Sequence, residues 1–423
     1  MLARLRQTVE STPPAARLSA RIGVTGIVAL ALADCGGKDC GEPSAIGPCG
    51  SPPLREIALG VVVADFNGDG QPDVAIPLSY GGNPPGAVGI YQHQPVSGKD
   101  YAARVDFPFG GDPYAILAQE LNGDGWADLV TSDPRFATVR VLLNSADGSA
   151  IFGAVQSLPA IRVTQVAAAD MNGDGLPDLI IAARPLLLSL QDSSAPGTFD
   201  APLNLFSSPG GNIFRSLAVS DLNGDGTPDI AVADDDGVHL LFVTSSTGTP
   251  TIANTSTVYM NARPGEFGAV AVADVNIDGL DDLVIADPGG GSLAVLQQSG
   301  AVAGDFLPAS TFELPAAAGL SVVVADLNGD SYPDIVSGGS ALVAVLLQDA
   351  TRAGAFSEAS TYSAPIAANA VVVADIDGDG LPDIVTNSGV TSTNDGGILR
   401  TPPGVLYQDS NRPGSFLPLQ NLR

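Results

Sequence analysis

One nine-residue unit occurs seven times along the chain. It reads DFNGDGQPD at 65–73, ELNGDGWAD at 120–128, DMNGDGLPD at 170–178 and DLNGDGTPD at 221–229. It continues as DVNIDGLDD at 274–282, DLNGDSYPD at 326–334 and DIDGDGLPD at 375–383. The starts lie 49 to 55 residues apart. Regular self-similarity at a period near fifty marks a repeat architecture, in which each unit buries its apolar faces only against its neighbours.

Each repeat carries more than the acidic unit. An apolar, β-branched run such as LAVS or VVVAD precedes it, and a second such as DLIIA or DIAVA follows. A third appears as VRVLLN (139–144), LAVLQQ (293–298), VAVLLQ (343–348) and GVLYQD (404–409). A Gly-x-Phe signal beginning at 197, 304, 354 and 414 is read as opening a fourth. Helical spacing of apolar residues is missing beyond a turn or two, whereas 50 Gly and 33 Pro supply the turns an all-β chain needs. Four short strands in about fifty residues is the content of one propeller blade. The expected fold is therefore all-β: a seven-bladed β-propeller of four-stranded antiparallel blades over residues 54–423. Its first inner strand is expected near Leu59 and its last outer strand in FLPLQNLR. Residues 50–58 are a candidate locking strand.

Charge narrows the class of partner. The chain has 46 Asp and Glu against 18 Lys and Arg, a net charge of -28, which argues against nucleic acid or an anionic membrane surface. Such acidity is common in disordered chains, but 45% apolar residues in strand-like runs support a packed core.

The acidic unit has the pattern of a calcium loop. A hard cation such as Ca²⁺ takes about six to eight oxygens, and alternate residues of a tight turn supply them. Position one holds Asp65, Glu120, Asp170, Asp221, Asp274, Asp326 and Asp375; position three holds Asn67, Asn122, Asn172, Asn223, Asn276, Asn328 and Asp377. Position five is always acidic, with Asp69, Asp124, Asp174, Asp225, Asp278, Asp330 and Asp379. Position seven holds Gln71, Trp126, Leu176, Thr227, Leu280, Tyr332 and Leu381. These share only a backbone carbonyl, which is the ligand that such loops use there. Position nine is Asp73, Asp128, Asp178, Asp229, Asp282, Asp334 and Asp383, and is read as the bidentate contact. The alternative is a set of acidic turns without an ion, in which carboxylates this close repel one another. An EF-hand is excluded, because position twelve holds Ile76, Thr131, Ile181, Val232, Ile285, Ser337 and Thr386 rather than Glu.

These residues make the chain resemble the FG-GAP or VCBS repeat propellers, the family of the integrin α-subunit head and many bacterial surface proteins. The resemblance covers nearly the whole chain beyond its N-terminus. It implies that the loops join the two inner strands of each blade on the lower face and bind up to seven Ca²⁺, leaving a net charge of -14 out of -28. Four departures grade the sites. Glu120 must reach further, Asp377 adds a charge, and Ile277 and Ser331 stand where glycine is expected.

Ahead of the repeats lies a targeting pattern. Arg4, Arg6, Arg17 and Arg21 precede an apolar run at 22–33, too short to span a bilayer, and then LADC. This resembles a bacterial lipoprotein signal over residues 1–34, with Cys35 as the lipidated residue. Asp34 departs from the small residue such signals carry, and plain secretion is the alternative. Residues 35–53 then form a linker in which Cys40 and Cys49 are left to close a ten-residue loop by disulfide. The lipid would be the chain's one link to a membrane.

An enzyme has little to stand on. His93 and His239 are the two histidines, in third-strand segments of different blades, and no nucleophile elbow, phosphate loop or dinucleotide fingerprint occurs. A binding module fits better, because the loops opposite the acidic units differ between repeats. Its candidate contacts are Tyr80, Asp112, Tyr114, Arg135, Phe136, Phe214, Arg215, Arg263, Glu266 and Phe267. The expected partner is an extracellular glycan or protein. The alternatives are a polysaccharide-cleaving hydrolase or lyase and a structural component of a cell-envelope assembly.

Overall fold

The computed structural model describes residues 60–79, 86–94, 100–109, 111–245, 248–259, 268–287, 291–314, 319–339, 342–364, 368–387, 390–392, 398–400 and 402–422. Among them are seven four-stranded antiparallel sheets, each with its strands in sequence order. Blade one contains Val62–Ala64, Asp73–Leu78, Ala87–Tyr91 and Val105–Pro108; blade seven contains Val371–Ala374, Asp383–Thr386, Gly404–Leu406 and Gln420–Asn421. Two short ribbons are inserted in these terminal blades, His93–Gln94 with Asp100–Tyr101 in blade one and Val390–Ser392 with Ile398–Arg400 in blade seven. The described residues contain no α-helix.

The first strands of successive blades stand side by side, and the first strand of blade seven meets that of blade one. The ring is closed. This is the expected seven-bladed propeller, with each blade drawn from one continuous stretch of chain. The proposed locking strand at 50–58, Leu59, the signal segment and all three cysteines lie outside the described residues.

Burial follows the order of strands within a blade. Second strands such as Asp178–Ala182 and Asp229–Ala233 are buried at every residue, because both sheet faces are covered by neighbouring blades; this is why they read as continuous apolar runs. Fourth strands such as Ser310–Glu313 and Ser360–Ser363 are mostly exposed. The core is accordingly divided into seven clusters, one between each pair of neighbouring blades. That between blades seven and one contains Val63, Ile76, Tyr101, Val372, Ile376 and Val405.

The Gly-x-Phe signal does not open the fourth strand. Phe199, Phe306, Phe356 and Phe416 each form a single bridge to Gln191, Gln298, Gln348 and Gln408, and regular pairing resumes at Leu203, Ser310, Ser360 and Gln420. The glycines turn with φ of 75 to 83°, a conformation that suits glycine.

Candidate functional site

Connections between first and second strands, the acidic loops, all lie on one face, called the lower. Antiparallel succession then puts second-to-third connections and the passages between blades on the upper face.

Position nine is the anchor of each lower loop. Asp73, Asp128, Asp178, Asp229, Asp282 and Asp334 are 0% exposed, and Asp383 is 1% exposed. In every loop one carboxylate oxygen accepts a hydrogen bond from the position-two N–H at 2.9 to 3.1 Å. The other accepts from an N–H at the end of the third-strand segment, at 2.7 to 2.8 Å, the donors being His93, Asn144, Gln191, Val243, Gln298, Gln348 and Gln408. The aspartate thus clamps three strands of its blade, and each oxygen keeps a second lone pair. Sequence reasoning missed the clamp. It also missed position two, where Phe66, Leu121, Met171, Leu222, Val275, Leu327 and Ile376 are all core residues; their uniformly apolar character was the available signal.

The exposed half of the loop is a nest of Asx turns. Asp65 Oδ1 accepts from the N–H groups of Gly68 and Asp69 at 2.6 and 3.2 Å, and its Oδ2 from Gly70 at 2.8 Å. Asp170, Asp221, Asp326 and Asp375 repeat this arrangement. Three departures have local consequences. Glu120 Oε1 accepts from Asn122 and Gly123, one residue earlier than the aspartates reach. Ile277 and Ser331 hold φ of 59 and 70°, a region costly for a side chain and most so for a β-branched one.

The donor set fits a hard cation. Each loop offers carboxylate and backbone oxygens, and loops one to six a side-chain amide as well, within nine residues. In loop seven, ligand oxygens of Asp375, Asp377 and Asp383 lie within 4.8 Å of one another. Burial raises the position-nine carboxyls to about 6 in loops one to four and six, and to about 7 for Asp282 and Asp383; backbone N–H donors oppose the shift and the loop's other carboxylates add to it. A divalent cation would relieve the repulsion among them.

Neighbouring blades hold these loops. Asn144, Gln298 and Gln408 each donate from the side-chain amide both to the position-eight carbonyl of their own blade and to the position-two carbonyl of the blade before. Gln191, Gln348 and Gln408 also accept from the glycine N–H of the Gly-x-Phe turn. A Cβ added at Gly197 or Gly414 would lie 3.2 Å from the Cβ of Asn122 or Asn328, at position three of the preceding blade's loop.

On the upper face, Tyr80, Arg263, Glu266 and Phe267 fall outside the described residues. Arg135 and Phe136 are exposed neighbours, with the guanidinium 5.6 Å from the ring centroid. Asp112 is half-buried and accepts from Ser79 Oγ at 3.1 Å. Tyr114 is half-buried; burial raises its hydroxyl, against the pull of Arg215. Arg215 pairs with Asp235 at 2.6 Å. Phe214 does not belong with these residues. It is fully buried in the core between blades three and four, beside Phe206, so it packs the fold and presents no surface to a partner. His239 is nearly buried, with Nε2 3.0 Å from Asp234 and Nδ1 3.0 Å from Thr257 Oγ1.

A 131-residue stretch is 35% identical to human (Homo sapiens) integrin alpha-7, covering 27% of this chain and 11% of that protein. The chain thus spans a small part of the length of that relative. Among solved structures, BBS1N in complex with ARL6DN, soaked with lead, superposes with a TM-score of 0.54 at 13% identity, over 84% of this chain and 93% of that one. Its mercury-soaked counterpart gives 0.51 at 11% identity, over 83% and 92%. These structural likenesses concern the fold. The FG-GAP-like repeat model matches residues 83–181, 221–285, 274–337 and 326–386, most of the blades described above, and on that ground the chain belongs to the FG-GAP-like repeat family.

Proposed function

We propose that the protein is a calcium-stabilised recognition module of the cell surface or extracellular space, with a structural lower face and a partner-binding upper face. The observation that carries this reading is the sevenfold position-nine aspartate, buried and doubly bonded beneath two further side-chain oxygens and a carboxylate at position five. Positions one, three, five and nine, with the position-seven carbonyl, would hold each Ca²⁺, which supplies the positive charge that the loops lack. The relatedness to an integrin α chain supports an adhesion or recognition role over catalysis. Under this reading residues 1–34 are a secretion signal, 35–53 a tether lipidated at Cys35 with Cys40 paired to Cys49, and 54–423 the propeller.

Titrating the chelator-stripped protein with Ca²⁺ in a calorimeter tests it. Up to seven ions should bind, and removal of calcium should lower the melting temperature by roughly ten degrees or more, since a ligand bound only by the folded state stabilises it. Less than one ion per molecule with an unchanged melt would overturn the calcium assignment. Arrays of polysaccharides and surface proteins, probed with calcium and then with chelator, address the partner. Release of sugar products would turn the reading toward a cleaving enzyme.

A further inference from the structure

We propose that the upper connections of blades two and three form a cationic and apolar ridge that docks an acidic protein segment bearing apolar side chains. This rests on the reading of the upper face as the binding face and gives its partner a chemistry.

The ridge is continuous. Ala160 N–H donates to Ala137 O at 2.9 Å, and Arg184 N–H to Ile161 O at 3.4 Å. The second-to-third turn of blade two, the passage into blade three and the second-to-third turn of blade three are thereby joined in one row. Along it Phe136 is 52% and Ile161 63% exposed, and Arg135, Arg162 and Arg184 are exposed as well. Ala137 and Arg162 hold φ of 51 and 58°. Non-glycine residues adopt that region at a cost and cluster where a surface has a task.

Charge separates this ridge from the rest of a chain carrying -28. Its three connections, residues 131–140, 159–164 and 183–187, contain one carboxylate, Asp133. That group is fully buried and faces Arg140 Nη2 at 3.5 Å, while accepting from the N–H groups of Asp112, Arg135 and Phe136. In blade four Asp235 pairs with Arg215, and Asp236 accepts from the Asn212 amide. Within these three connections Arg162 and Arg184 are therefore exposed with no exposed carboxylate beside them in sequence, while the half-buried Asp112 and the exposed Asp236 flank the row. Planar guanidinium forks suit carboxylates. Exposed aromatic and arginine side chains are enriched where proteins meet. The aliphatic Ile161 offers a sugar ring no stacking face, and the chain's net charge of -28 opposes a nucleic acid, so the mixture favours a peptide with acidic and apolar residues.

The test uses the full calcium-loaded protein and a fluorescent random copolymer of glutamate and tyrosine, with polyglutamate and polygalacturonate beside it. Binding of the copolymer should weaken as salt rises. Arg162→Glu with Arg184→Glu should weaken it about tenfold or more, and Phe136→Ala with Ile161→Ala about tenfold. Both pairs are exposed, so melting should be unchanged. Failure of the wild-type protein to bind the copolymer overturns the proposal. Polygalacturonate bound as tightly, and indifferently to Phe136 and Ile161, overturns the peptide assignment. Copolymer binding that survives both ridge variants but is lost in Tyr114→Ala with Arg215→Ala overturns the ridge and leaves the upper-face reading standing.

Discussion

The hydroxyl of Tyr101 in blade one lies 3.2 Å from the carbonyl oxygen of Ile376 in blade seven, and 2.9 Å from that of Pro72 in its own blade. It occupies the place that Gln298 and Gln408 hold between other blades, bridging position two of one loop to position eight of the next. The contact is therefore the closing member of the ring. Tyr101→Phe keeps the ring and its edge contact with His93 but removes the donor. An expected loss of about 1–2 kcal/mol should appear as a lower urea midpoint at unchanged slope. An unchanged midpoint would show that closure rests on apolar packing alone.

Removing one position-nine clamp should cost more. Asp178→Ala leaves the N–H groups of Met171 and Gln191 without their acceptors. Two charge-assisted bonds lost inside the fold should cost about 3 kcal/mol or more. Calcium stoichiometry should fall by one ion, which separates a lost site from general loosening.

Loop five should improve when its strained residue is replaced. Ile277 is 51% exposed and sits at a φ of 59°, so little packing is lost in Ile277→Gly. A gain of about 1 kcal/mol is expected, with tighter binding of the fifth ion. Thermal melts with and without calcium would check it, and a destabilised variant would show that Ile277 has a packing role.

The acidic loops should make stability depend on pH in opposite senses with and without calcium. The position-nine carboxyls are raised by burial from 3.8 to about 6 or 7. The cation-free fold thus holds protons that the unfolded chain has released, a contribution fully present below about pH 4. It is lost as pH rises through 6 to 7. Calcium needs the ionised form, so its stabilisation grows over the same interval. The gap between the two melting temperatures should widen from pH 5 to pH 8; a constant gap would rule out these carboxyls as ligands.

The turn glycines offer a fifth handle. Gly414 turns at a φ of 77°, and a Cβ there would approach Leu347 to 2.7 Å and Asn328 to 3.2 Å. Gly414→Ala should therefore lose more than about 1 kcal/mol and, through Asn328, weaken calcium at loop six. Unaltered calcium binding at that loop would show that the contact carries no coupling.

Blade number, loop position and the candidate ligands were legible in the sequence because each repeats within one local stretch. Spacing between DxNGDGxxD units is a property of the chain, and alternation of oxygen-bearing residues around a tight turn needs no distant partner to be recognised. What arises between blades was not legible in this way. Residues 144, 298 and 408 look like polar ends of third strands, and their bonds reach back 76 to 81 residues to the preceding loop in the case of Gln298 and Gln408. Phe214 read as an aromatic on a variable loop, and only the meeting of blades three and four buries it. The ridge from Phe136 to Arg184 likewise draws on three connections, which the closure of neighbouring sheets brings into one row. Local periodicity therefore determined the architecture and the acidic loops, whereas side-by-side packing decided which polar groups lock the ring and which upper residues reach solvent together. The physical reason is that each blade's faces are completed only by its neighbours, and those contacts have no signature within a single repeat.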